Sequence, residues 1–127
     1  EPLAGLDPER SRLVAERIEE IHEEGISVVL STHDLEFAAE VADRICVMVD
    51  GNVAGSGTPR AVFYDDELLA AANLHPPSPV RVARDAGLDA NAWPVTEAEL
   101  VEHLTDTTDR QQSNRLTPSG ATRTGDR

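Results

Sequence analysis

Ile26-Ser27-Val28-Val29-Leu30 is a short apolar run, largely β-branched, that stops abruptly at Ser31-Thr32-His33-Asp34. Because it is nearly continuous rather than alternating, it suits a parallel strand covered on both faces. That requirement points to an α/β fold, with helices flanking a parallel sheet. The four polar residues sit where such a strand leaves its sheet, and in open α/β sheets ligands bind at that carboxyl end. His33 is therefore the first candidate for chemistry. The plainer reading, a packing residue or the neighbour of a helix cap, stands beside it until other segments of the chain are considered.

At 127 residues there is room for one domain at most, with a modest core poor in aromatic residues. The single cysteine, Cys46, lies within Ile45-Cys46-Val47-Met48-Val49 and reads as a buried small hydrophobe. No apolar stretch is long enough to span a bilayer, and no signal segment precedes Glu1, so a soluble intracellular chain is expected. The formal net charge is −13, and all 11 basic residues are arginine. An acidic chain without lysine fits a source adapted to concentrated salt, where screening removes the self-repulsion. An ordinary acidic protein from a GC-rich bacterium is the alternative. Either way, clustered basic residues for binding nucleic acid or anionic lipid are lacking. The start at Glu1-Pro2, without methionine, reads as a cut from something longer.

In chain order, Glu1 to Pro8 is a breaker-rich loop leading to a helix, with Asp7 as N-cap and Pro8 at the first helical position. Leu13, Val14, Ile18 and Ile21 recur at helical spacing opposite Glu16, Glu19, Glu20, Glu23 and Glu24, and Gly25 ends the helix. Beyond His33, Asp34 caps a second helix. Arg44 to Val49 and Asn52 to Gly57 form a hairpin about the Asp50-Gly51 turn. Thr58-Pro59 opens a brief helix through Phe63, and Asp65 to Asn73 holds another small one. Val80 to Ala86 and Thr96 to Leu104 read as two further helices, the second with a Thr96–Glu99 capping box. From Thr105 onward the composition turns polar and predicts a disordered tail. His22, His75 and His103 lie on separate elements without metal-ligand spacing and read as solvated.

Three of these segments, in order, resemble the C-terminal part of an ATP-binding-cassette (ABC) transporter ATP-binding subunit. Glu1-Pro2-Leu3-Ala4-Gly5-Leu6-Asp7-Pro8 resembles the stretch from the catalytic glutamate into the D-loop, with Leu3 where threonine is more usual. Ser31-Thr32-His33-Asp34 resembles the switch-histidine loop. Asp43 to Val53, followed by Gly57-Thr58-Pro59, resembles the hairpin that closes the catalytic domain. Asp65 to Leu74, Pro76-Pro77 and Val80 to Arg84 are similar to the extension of the cobalt/nickel and energy-coupling-factor ATPases.

The resemblance implies a partial P-loop NTPase fold: a parallel sheet with flanking helices, a terminal β-hairpin and a small helical extension. It implies three regions, namely residues 1–63 from the catalytic domain, 64–104 as the extension and 105–127 as the tail. Glu1 and His33 would be catalytic, with Glu1 as base or positioner for water and His33 hydrogen-bonded to the γ-phosphate. Ala4, Gly5, Leu6 and Asp7 would form a dimer-interface D-loop. ATP and Mg²⁺ are implied for the full-length protein. For this chain alone no cofactor, no metal and no hydrolysis are expected, because the P-loop G-x-x-x-x-G-K-[ST] needs a lysine and the signature loop is absent too. The implied partners are a second ATP-binding subunit and an integral membrane component, on the cytoplasmic face of the membrane, with import of cobalt, nickel or a vitamin as the task. Two alternatives remain at this level: a nucleotide-free interaction module, and an ABC ATPase of DNA repair or chromosome organisation.

Overall fold

The computed structural model describes residues 1–89 and 92–115. Its first helix, α1, spans Pro8–Glu23 and begins where the sequence places it. The Asp7 carboxylate accepts the Arg10 N–H at 2.9 Å, satisfying one of the helix's orphan donors. The end is equally local. Gly25 adopts φ +83°, and the N–H groups of Gly25 and Ile26 return to the carbonyls of His22 and Ile21 in a Schellman arrangement. Yet α1 buries none of its residues, and Leu13 on its apolar side is 57% exposed.

The run Ile26–Leu30 corrects the expectation of a buried parallel strand. It has no regular secondary structure, and Val29 is 97% exposed. The reason is pairing: a strand covered on both faces needs ladder neighbours, and the described residues contain one sheet only, a two-stranded antiparallel one. The fold described is mixed α/β with this hairpin, formed by β1 (Ile45–Val49) and β2 (Asn52–Gly57).

The hairpin turns through Asp50 at φ +49° and Gly51 at φ +79°, the paired left-handed conformations of a type I′ turn, for which Asp-Gly is well suited. Met48 faces Val53 and Val47 faces Gly55, so Ala54 is the extra residue of a β-bulge. Side chains along β1 alternate, with Val47 buried while Cys46 and Met48 are exposed. This corrects the reading of Cys46 as a buried hydrophobe. An apolar run in a one-faced hairpin turns every second side chain outward.

Four short helices surround the buried side of the hairpin. Helix α2 (Leu35–Val41) is capped by Asp34, α3 (Pro59–Phe63) by Thr58, and α4 (Asp66–Ala71) by Asp65, each through a side-chain oxygen accepting an N–H three residues on. Helix α5 (Ser78–Asp85) follows Pro77, which has no side-chain oxygen to offer as a cap. Ala38, Ala39, Val47, Val62, Phe63, Leu69, Val80 and Val95 make one cluster, with Phe63 and Val80 fully buried. The core thus lies between the hairpin and the helical extension.

Helix α6 spans Glu97–Arg115 and so runs well past the expected end at Leu104 into the segment read as a tail. Thr105, Thr107 and Thr108 return their hydroxyls to carbonyls four residues back, which lets polar side chains fit a helix that composition alone disfavours. Residues 116–127, the rest of that expected tail, lie outside the described residues.

Candidate functional site

Glu1 and His33 are separated by 32 residues in sequence and meet at the surface. His33 Nδ1 lies 2.6 Å from Glu1 Oε1, and the His33 backbone N–H donates to the same oxygen at 3.2 Å. Local structure delivers both groups. The loop ahead of α1 turns back on itself, with the Ala4 N–H donating to the Glu1 carbonyl at 3.3 Å and the Leu6 N–H to the Leu3 carbonyl at 3.0 Å. On the other side, the Asp34 N–H donates to Thr32 Oγ1 at 3.0 Å and the Asp34 carboxylate caps α2, so His33 stands one residue ahead of a capped helix.

The electrostatics follow from the contact. The side-chain bond from His33 holds the Glu1 carboxyl below its ordinary range, and the bond to Glu1 together with its negative charge raises the His33 imidazole. The pair favours carboxylate facing imidazolium. Both side chains are open to solvent, with His33 85% and Glu1 45% exposed. The ionised carboxylate can orient or deprotonate a water, and the protonated ring beside it can donate a hydrogen bond to an anion.

Ala4, Gly5, Leu6 and Asp7 occupy the same loop. Ala4, Gly5 and Asp7 are exposed, Leu6 is half-buried, and Gly5 takes φ +74°. Asp7 acts as the α1 cap, with its carboxylate also 3.6 Å from Arg10 Nε. The other histidines remain apart: His22 lies 3.5 Å from Asp43, His75 is exposed and His103 half-buried. Among the described residues no group of three or more His, Cys, Asp or Glu side chains could hold a metal ion. No described helix is long and apolar enough to cross a membrane.

Two features of the fold are not legible in the sequence. Glu36, in the first turn of α2, accepts from both the N–H and the hydroxyl of Ser78 at 2.9 Å through Oε1. Partial burial pushes the Glu36 carboxyl up, but the Ser78 bonds outweigh it and the group lies below its ordinary value. The second is an aromatic joint. Tyr64 stacks on Trp93 with ring centroids 4.7 Å apart, and its hydroxyl donates to the Pro94 carbonyl at 2.8 Å. The Arg84 guanidinium lies over the Tyr64 ring, 5.3 Å from its centroid. Helical periodicity carries no signal for contacts spanning 42 and 30 residues.

No protein-family model matches the chain. Among curated proteins, it is 36% identical to an energy-coupling factor transporter ATP-binding protein of Lacticaseibacillus paracasei, over 82% of this chain and 38% of the relative. It is 37% identical to one from Latilactobacillus sakei, over 84% of this chain and 38% of the relative. With the energy-coupling factor transporter ATP-binding protein of Methanocaldococcus jannaschii it shares 38% identity, over 61% of this chain and 28% of the relative. The chain thus spans less than two fifths of the length of these relatives. Over most of its residues it is similar to a part of the ATP-binding proteins of ABC and energy-coupling-factor transporters.

Proposed function

We propose that this chain forms the hydrolysis-and-switch part of an ABC-type ATP-binding subunit of the energy-coupling-factor kind, which couples ATP hydrolysis to uptake of cobalt, nickel or a vitamin. The observation that carries the reading is the 2.6 Å approach of His33 Nδ1 to Glu1 Oε1. The two groups that the resemblance assigns to one γ-phosphate are neighbours in space, although 32 residues separate them. In this reading Glu1 orients the attacking water and takes up its proton, while His33 donates a hydrogen bond to the γ-phosphate. The Ala4-Gly5-Leu6-Asp7 loop meets a second ATP-binding subunit across the nucleotide.

The residues fit one end of the substrate only. Glu1 and His33 suit a γ-phosphate, whereas the chain has no lysine and so no P-loop to grip the remaining phosphates with Mg²⁺. Those contacts would come from parts of the subunit outside this chain, and so would the parallel sheet that the run Ile26–Leu30 is built to join. Residues 1–63 would then belong to the catalytic domain, with 64–104 as an extension and 105–127 as its tail. The complete subunit would sit on the cytoplasmic face of the membrane, bound to an integral membrane component. The lysine-free acidic composition supports a source adapted to concentrated salt.

The test uses a full-length subunit containing these residues. Glu1→Gln should retain nucleotide binding and lose hydrolysis by on the order of 10²- to 10⁴-fold, the usual worth of a positioned acid-base group. A dimer closed on uncleaved ATP should then accumulate on size exclusion. His33→Ala should slow turnover without that stabilised dimer. Unchanged phosphate release in either variant would return both residues to structural roles.

A further inference from the structure

Helix α5 lacks a cap of its own. Pro77 precedes it without a side-chain acceptor, and Pro79 within its first turn has no N–H to satisfy. The N–H groups of Val80 and Arg81 are satisfied by the Pro77 carbonyl. That leaves the Ser78 N–H, which donates to Glu36 Oε1 at 2.9 Å, as does the Ser78 hydroxyl. The missing cap is therefore supplied in trans by the first turn of α2, three residues after His33. Arg81 closes the other side by donating to Ser78 Oγ at 3.1 Å. A single carboxylate thus ties the His33 loop to the helical extension.

We propose that Glu36 is a positioning residue for His33, coupling the geometry of the Glu1–His33 pair to the N-terminus of α5. The inference rests on the functional reading above, and concerns how the extension communicates with that site. Three features make the linkage mechanical. Asp34 caps α2 and holds the backbone that carries His33. Phe37, Ala38 and Ala39 bury the next residues of α2 in the core, so the helix start cannot drift freely. The Glu36–Ser78 bonds are charge-assisted, the stronger kind, and replace an otherwise uncapped donor. A change at His33 that shifts the start of α2 must either move α5 or break these bonds.

The experiment is NMR on the 127-residue chain, following the His33 imidazole and the Ser78 amide together as pH is varied. The charged groups around His33 are Glu1, Asp34 and the N-terminal ammonium, and Arg81 faces the Glu36–Ser78 latch; His75 lies three residues before Ser78 in sequence. His75→Gln serves as the background throughout, which leaves no imidazole close in sequence to Ser78. In that background the Ser78 amide should shift with the midpoint of His33. Glu36→Ala should abolish that response at Ser78 while His33 still titrates, and Glu36→Gln, which keeps an acceptor oxygen, should restore part of it. A Ser78 amide that stays flat through the His33 titration would overturn the proposal, as would one that responds equally in Glu36→Ala. Should Glu36→Ala disturb the fold, Ser78→Ala keeps the N–H donor and should reduce the coupling without removing it; an unreduced response counts against the latch. Glu1→Gln tests the pair separately, and should lower the His33 midpoint and carry the Ser78 response down with it. If His33 stays put in that variant, the Glu1–His33 pairing fails. The latch is still judged by whether Ser78 follows His33.

Discussion

Tyr64→Phe removes one oxygen and nothing else from the joint between α3 and the loop leading to α6. The lost bond is the 2.8 Å contact from the Tyr64 hydroxyl to the Pro94 carbonyl, and Pro94 is among the most completely buried residues. A buried acceptor left without its donor costs about 1–3 kcal/mol, more than the net worth of an average hydrogen bond. Stacking on Trp93 survives because the ring survives, and Arg84 keeps its place over it. Trp93 is the single tryptophan of the chain, so its fluorescence reports this joint alone. In urea, with a slope of about 2 kcal/mol per molar for a small domain, the unfolding midpoint should fall by roughly 1 M. Native emission should hardly change. A pH series supplies a second reading: burial raises the Tyr64 phenol above its ordinary 10, with Arg84 and Arg60 opposing. The stability this adds is fully present below pH 10 and is lost as pH rises through the folded value. The gap between wild type and Tyr64→Phe should therefore narrow in strong base. An unchanged urea midpoint, or a native Tyr64→Phe emission already shifted to that of the unfolded chain, would refute the assigned bond.

Truncating Leu69, which is 2% exposed within the core cluster, to alanine should cost about 2–5 kcal/mol by urea denaturation, whereas Leu13→Ala on exposed α1 should cost far less. For the Glu1–His33 pair, imidazole NMR should place the His33 midpoint above 6.5 and Glu1→Gln should lower it. The raised histidine contributes below its unfolded value and is lost as pH rises through the folded one. The lowered carboxyl contributes above its unfolded value and is lost as pH falls through the folded one, so the contact is strongest from pH 4.5 to 6.5. Molar salt should increase the helical signal in circular dichroism, since a Debye length of about 3 Å at 1 M screens the glutamates of α1; equal signals at low and high salt would oppose the argument from charge.

Features decided within a few residues were legible in the sequence. Asp7, Asp34 and Thr58 each cap the helix that follows them, because a cap needs only a short acceptor and the next N–H groups. Asp50-Gly51 set the hairpin turn for the same reason. The Thr96–Glu99 box formed in altered shape: Glu99 accepts from the Val95 N–H at 2.8 Å. What escaped depends on partners distant in sequence. The apolar pattern of Ile26–Leu30 states a preference for a ladder without supplying the neighbours, and Cys46 takes its exposure from a sheet with one buried face. Glu1 and His33 could be named as candidates from the sequence and lie in contact, whereas nothing local pairs Glu36 with Ser78.

The bare run Ile26–Leu30 has a consequence for handling the chain. It offers a row of backbone donors and acceptors and β-prone side chains, with Val29 almost wholly in water. Such a segment is adhesive: a copy of itself in another molecule can supply the ladder that no described residue does, and each added molecule exposes a fresh edge for the next. The surrounding glutamates repel such stacking at low ionic strength, and salt removes that repulsion. Conditions that favour helix in α1 would thus also favour growth of β-rich assemblies from the neighbouring five residues, and a lysine or proline placed at Val29 would act as a gatekeeper against them.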